Sequence, residues 1–93
     1  TMHHAYTDSA VSARQVYSGL KNSMVNATKE ERAAANEQII ETAFMQYTNT
    51  ILDSLDAPEH VDQITYQQAV EDRLREDERG RIEKYLRSKH LLF

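Results

Sequence analysis

The stretch that decides the fold is residues 28–55, TKEERAAANEQIIETAFMQYTNTILDSL. Thr28 and Glu31 form the capping-box pattern of a helix start, in which each side chain accepts a hydrogen bond from the other residue's backbone amide. Three alanines, which are strong helix formers, follow. Because Pro58 biases the residue before it out of the helical region, the sequence predicts a helix over residues 28–56. Its apolar residues recur every three or four positions and therefore share one face: Ile40, Ala43, Phe44, Tyr47, Ile51 and Leu55.

Two further helices are predicted, one on each side of this stretch. Asp8 or Ser9 can cap a first helix over residues 8–26. Thr65 and Gln68 repeat the capping pattern and predict a third helix over residues 65–89. The middle of that helix, residues 75–81 (REDERGR), lacks large apolar residues and is expected to be exposed. Opposite charges four positions apart can hold it together, and Gly80 is where it could bend instead. The predicted pairs are Glu71/Arg75, Asp77/Arg81 and Glu83/Arg87.

Composition bounds the fold class. The chain has 93 residues, only two glycines and one proline, and no cysteine. So few turn residues argue against an all-β or α/β domain. The sequence therefore predicts an all-α protein, a three-helix up-down-up bundle with long second and third helices. The lack of cysteine excludes disulfides and thiolate zinc sites.

The chain is expected to form one domain over residues 8–93. Residues 1–7 (TMHHAYT) carry no pattern and are expected to be a disordered terminus or a tag remnant. No apolar run approaches the roughly 20 residues that a membrane span needs, and the N-terminus lacks the layout of a signal peptide. We therefore expect a soluble, cytoplasmic protein with no membrane partner.

The predicted helix lengths indicate self-association. The first helix is too short to cover the apolar faces of the other two, so a monomer would leave those faces partly exposed. A homodimer that completes the bundle is the simplest remedy. The tail Leu91–Phe93 either folds back onto the core or docks on another subunit. The candidate interface residues are Phe44, Tyr47, Ile51, Ile82, Tyr85, Leu86, Leu91, Leu92 and Phe93.

No catalytic signature is present in the sequence. It has no nucleophile elbow, no glycine-rich phosphate loop, no HExxH motif and no ExxH pair. Glu59, His60 and Asp62 lie close together, but a metal site needs three or four converging ligands, and these residues are typical of a solvated loop. The sequence therefore predicts no enzyme, no cofactor and no metal. It favours a non-catalytic interaction or assembly module that binds itself or another helical protein.

A second hypothesis is an accessory or regulatory subunit of a nucleic-acid machine. Four basic residues near the end of the chain could contact phosphates while Tyr85 stacks on a base: Arg81, Lys84, Arg87 and Lys89. The formal net charge of −4 argues against general nucleic-acid binding. Charges paired along a helix are also typical of a solvated face, so the interaction module is favoured.

Overall fold

A computed structural model describes the backbone of residues 2–93 and the side chains from Ala5 onward. It contains the helices α1 (Met2–Leu20), α2 (Lys29–Leu52) and α3 (Gln63–Ser88), with a short 3-10 helix over Lys21–Met24 after α1. The described residues include no strand, which confirms the predicted all-α class. The molecule is elongated, measuring 54 × 23 × 19 Å. None of the described helices is long and apolar enough to cross a lipid bilayer.

The start of α2 follows the predicted capping box. The Glu31 amide donates to the Thr28 hydroxyl over 3.1 Å, and the Thr28 amide donates to the Glu31 carboxylate over 2.9 Å. These two bonds satisfy amides that the first helical turn otherwise leaves without partners. The helix ends at Leu52 rather than at residue 56, and tighter turn bonds follow at Ser54 and Leu55.

The predicted bounds of α1 were wrong at both ends. The helix begins at Met2 and ends at Leu20, whereas the sequence predicted residues 8–26. Ala5, Ser9 and Ala13 have no exposed surface and lie four residues apart on one helix face. Such small side chains let α1 pack closely against α2, so residues 5 and 6 belong to the fold rather than to a disordered terminus. Thr1 and the side chains of residues 2–4, including the two histidines, lie outside the described residues.

Helix α3 is continuous through Gly80, as the sequence favoured. Its cap is Asp62 rather than Thr65, since the Asp62 carboxylate accepts from the Thr65 amide over 2.9 Å. Asp62 is the better acceptor at this position because its charge also interacts favourably with the helix dipole. After the helix, the amide of Leu91 donates back to the Leu86 carbonyl, and His90 adopts a left-handed φ of 58°.

The middle of α3 contacts the other helices through Arg75, Glu78 and Arg79, so the prediction that it is exposed was wrong for these three residues. The other four residues of 75–81 are exposed, as predicted. The Arg75 guanidinium forms two hydrogen bonds to Glu41 of α2, of 3.0 and 2.9 Å, and lies 4.6 Å from the centre of the Phe44 ring. Arg79 pairs with Glu37 and Glu41. These arginines therefore hold α3 on α2, because their charges pair between helices rather than along one.

Most of the apolar residues that we expected to be exposed lie in the core. Phe44, Tyr47, Ile82 and Leu86 have no exposed surface within a single chain, so the prediction that a monomer leaves them partly exposed was wrong. Helix α1, which begins six residues earlier than predicted, and the arginines of α3 provide the missing cover. The predicted bundle arrangement and the homodimer remain predictions.

The C-terminal tail folds back onto the core, which was one of its two predicted roles. Leu91 is buried, and the Phe93 ring stacks on Tyr17 with 4.5 Å between ring centres. The Asn36 side chain pairs with both the amide and the carbonyl of Phe93, over 2.6 and 3.0 Å. Tyr17 lies on α1 and Asn36 on α2, so the tail joins these two helices.

Candidate functional site

A cleft lies between the first turns of α1 and the last turns of α3. Its volume is about 530 Å³. Four of its residues recur near the C-terminal end of α3 at spacings that place them on one side of the helix, and α1 supplies the other two. We call this the basic cleft, and its lining residues are Tyr6, Thr7, Arg81, Lys84, Tyr85 and Lys89.

The wall of the basic cleft is aromatic. The Tyr6 ring centre lies 5.1 Å from that of Tyr47 and 5.3 Å from that of Tyr85, with tilted planes. The Tyr6 hydroxyl donates a 3.0 Å hydrogen bond to Glu78. Burial raises the pKa of Tyr6, and the hydrogen bond to Glu78 raises it further. Tyr6 therefore keeps its proton at neutral pH and remains a hydrogen-bond donor to the Glu78 carboxylate.

The cations of the cleft are only partly neutralised. Arg81 donates to Glu78 over 3.2 Å, and the Lys89 ammonium lies 5.6 Å from the centre of the Tyr85 ring. Within the described part of the chain, no ion pair is recorded for Lys84 or Lys89. Three cations against one carboxylate leave this region positive, although the whole chain is formally −4. Such a cleft attracts anionic groups.

The structure brings together three of the four basic residues that the sequence singled out. Arg81, Lys84 and Lys89 line the basic cleft. Arg87 is not among the lining residues and pairs with Glu83 over 3.3 Å. This pair is one of the predicted contacts along the helix. The other two predicted pairs were wrong, since Arg75 binds Glu41 and Arg81 binds Glu78.

The nine candidate interface residues do not form one exposed surface. Tyr85 alone among them lines the basic cleft. Five are buried in the core: Phe44, Tyr47, Ile82, Leu86 and Leu91. Four are half-buried: Ile51, Tyr85, Leu92 and Phe93.

Sequence reasoning missed the contribution of α1 to the cleft. Tyr6 and Thr7 fall in the segment that was expected to have no structure. The available signal was the four-residue spacing of Ala5, Ser9 and Ala13, which continues a helix back to the start of the chain. A search for large apolar residues does not detect a face made of alanine and serine.

The described lining residues of the cleft supply cations, hydroxyl groups and aromatic rings. The lining residues that the structure describes include no carboxylate, imidazole or thiol. Among the described residues, no group of three His, Cys, Asp or Glu side chains could hold a metal ion.

Comparisons with protein-family models, with curated proteins and with solved structures give no significant match. A function must therefore be inferred from the geometry of the cleft.

Proposed function

We propose that this chain is a non-catalytic interaction module that binds an acidic segment of a partner protein in the basic cleft. One observation carries the proposal. Three cationic side chains and two tyrosine rings converge on a single open cleft, and no carboxylate pairs with Lys84 or Lys89 in the part of the chain that the structure describes. Carboxylates of the partner would pair with the lysines, while the rings contact its apolar side chains.

The size and charge of the site favour a protein over a nucleic acid. A volume of about 530 Å³ takes a few side chains. Nucleic-acid binding usually depends on many phosphate contacts spread over a basic face. Here the net charge is −4, and Glu78 lies behind the cleft. The cytoplasmic location expected from the sequence remains a prediction.

The test is a binding titration by fluorescence anisotropy. The probe is a labelled glutamate-rich peptide that contains one isoleucine. We expect the double variant Lys84→Glu, Lys89→Glu to bind it at least about tenfold more weakly, which corresponds to about 1.4 kcal/mol. The matched control is Arg14→Glu, Lys21→Glu, which makes the same charge change at two exposed residues outside the cleft.

Two outcomes would contradict the proposal. In one, the peptide binds neither the parent chain nor the control, or binds the cleft variant equally well. In the other, a labelled single-stranded oligonucleotide binds more tightly than the peptide and its affinity falls steeply with added salt. That second result would favour the nucleic-acid subunit.

A further inference from the structure

The chain carries an acidic segment of its own, at a distance from the basic cleft. Between Arg32 and Arg73 the sequence contains no lysine or arginine. The part of this region that joins α2 to α3, residues 53–62, is here called the acidic connection. Its four carboxylates are all exposed: Asp53, Asp56, Glu59 and Asp62.

Exposed apolar side chains accompany these carboxylates. Val61 is 44% exposed, and Ile64, in the first turn of α3, is 73% exposed. They are two of the four large apolar residues that are clearly exposed among those described. The segment therefore offers both components that the basic cleft would bind, namely negative charge for the lysines and an aliphatic surface for the tyrosine rings.

The acidic connection is held in one conformation by local hydrogen bonds. The Gln63 side chain accepts from the Ala57 amide over 2.8 Å and donates to the Leu55 carbonyl over 3.2 Å. The Val61 amide donates to the Pro58 carbonyl over 3.1 Å. A segment that is ordered before binding loses less conformational entropy when it docks.

The acidic connection cannot reach the basic cleft of its own chain. Ile64 and Lys84 lie twenty residues apart on the continuous helix α3, and at 1.5 Å per residue this separation is about 30 Å. The two surfaces can therefore meet only when they belong to different molecules.

We propose that the acidic connection of one copy, together with Ile64, docks in the basic cleft of a second copy. This inference rests on the proposed function, because it names a partner for the same cleft. Each copy has one cleft and one acidic connection on different parts of its surface, so the contact is head-to-tail. If both contacts form within one pair of antiparallel copies, the assembly closes at two chains; if only one forms, growth continues until a ring forms or the ends are capped.

Sedimentation velocity from micromolar to millimolar protein tests this inference. The average mass of the parent chain should rise with concentration, and added salt should reverse the rise because it screens charges. The cleft variant Lys84→Glu, Lys89→Glu and the connection variant Asp56→Lys, Glu59→Lys should each remain single chains. Asp62 is left unchanged because it caps α3. Circular dichroism melts of both variants verify that they are folded.

Mixing the two variants gives the sharpest result. In the cleft variant both surfaces are negative, and in the connection variant the two introduced lysines balance Asp53 and Asp62, so neither variant pairs surfaces of opposite charge. The positive, intact cleft of the connection variant can still bind the negative, intact connection of the cleft variant. The mixture should therefore associate although neither component does alone.

Three results would overturn the inference: a parent chain of constant mass, a cleft variant that associates as the parent does, or a mixture that remains single chains. Peptide binding tests the proposed function separately. If the parent chain binds the labelled acidic peptide but never self-associates, head-to-tail docking is wrong and the proposed function stands. If the parent chain binds neither the peptide nor a second copy, both head-to-tail docking and the proposed function are wrong.

Discussion

The Tyr6 hydroxyl donates a 3.0 Å hydrogen bond to the carboxylate of Glu78, a residue 72 positions later in the chain. The Glu78 side chain is only 12% exposed and has Arg81 as its second donor. A buried carboxylate needs such donors, because leaving it unpaired costs more free energy than the bond itself contributes. This contact fixes the first turns of α1 to the middle of α3 and so places both walls of the basic cleft.

Replacing Tyr6 with phenylalanine should lower the free energy of unfolding by about 2 kcal/mol, the typical value for a hydrogen bond to a charged group. Urea denaturation followed by circular dichroism measures the change. Tyr66→Phe is the matched control, since the Tyr66 hydroxyl makes no recorded hydrogen bond to any residue that the structure describes. Equal stability of the two variants would show that Tyr6 does not support Glu78.

The contact between Arg75 and Glu41 predicts a loss of stability in acid. The hydrogen bond from Arg75 holds the pKa of Glu41 below its ordinary value of 4.5. A carboxyl group whose pKa is lowered by folding stabilises the protein above its unfolded-state pKa. That contribution is lost as the pH falls through the lower folded-state pKa. The melting temperature should therefore fall as the pH drops below about 4.5.

Glu41→Gln should remove part of that pH dependence. At neutral pH the substitution should cost about 1 kcal/mol, a modest value because both side chains are about 40% exposed to water. Melting curves recorded from pH 7 down to about pH 3 measure both effects. Glu76→Gln, at an exposed position of α3, is the control. A melting curve for Glu41→Gln that follows the parent chain at every pH would argue against this contact.

Gly80 offers a test of whether α3 is straight in solution. It is helical and exposed, and a Cβ atom added there would meet no heavy atom within 4 Å. Alanine has a higher helix propensity than glycine by about 1 kcal/mol, so Gly80→Ala should stabilise the protein by about that amount. Chemical denaturation gives the value. A loss of stability would indicate that α3 bends at this residue and that alanine opposes the bend.

Local sequence signals predicted the elements of this fold better than its contacts. The start of α2 could be predicted from Thr28 and Glu31, because a capping box involves only one helical turn. The start of α1 had only the weak signal of the four-residue spacing, since its buried face consists of the small residues Ala5, Ser9 and Ala13. Burial of that face depends on α2, which is distant in sequence.

The candidate site was predicted only in part for the same reason. Helical spacing places Arg81 and Lys84 on one side of α3, so a basic surface could be predicted from residues close in the chain. Tyr6 comes from the other end of the chain, and no local pattern connects it with Tyr85. Arg75 has acids within reach both on its own helix and on α2, and the sequence alone does not decide which of them it contacts.

Mapping by NMR shows directly whether the acidic peptide binds in the basic cleft. The connection variant Asp56→Lys, Glu59→Lys is labelled with ¹⁵N and titrated with the unlabelled acidic peptide, so that the cleft does not bind a second copy. We expect the largest amide shift changes at the residues of the basic cleft, above all Thr7, Lys84 and Tyr85. Amide shifts at these residues that stay constant, with changes confined to other parts of the chain or absent at millimolar peptide, would contradict binding in the cleft.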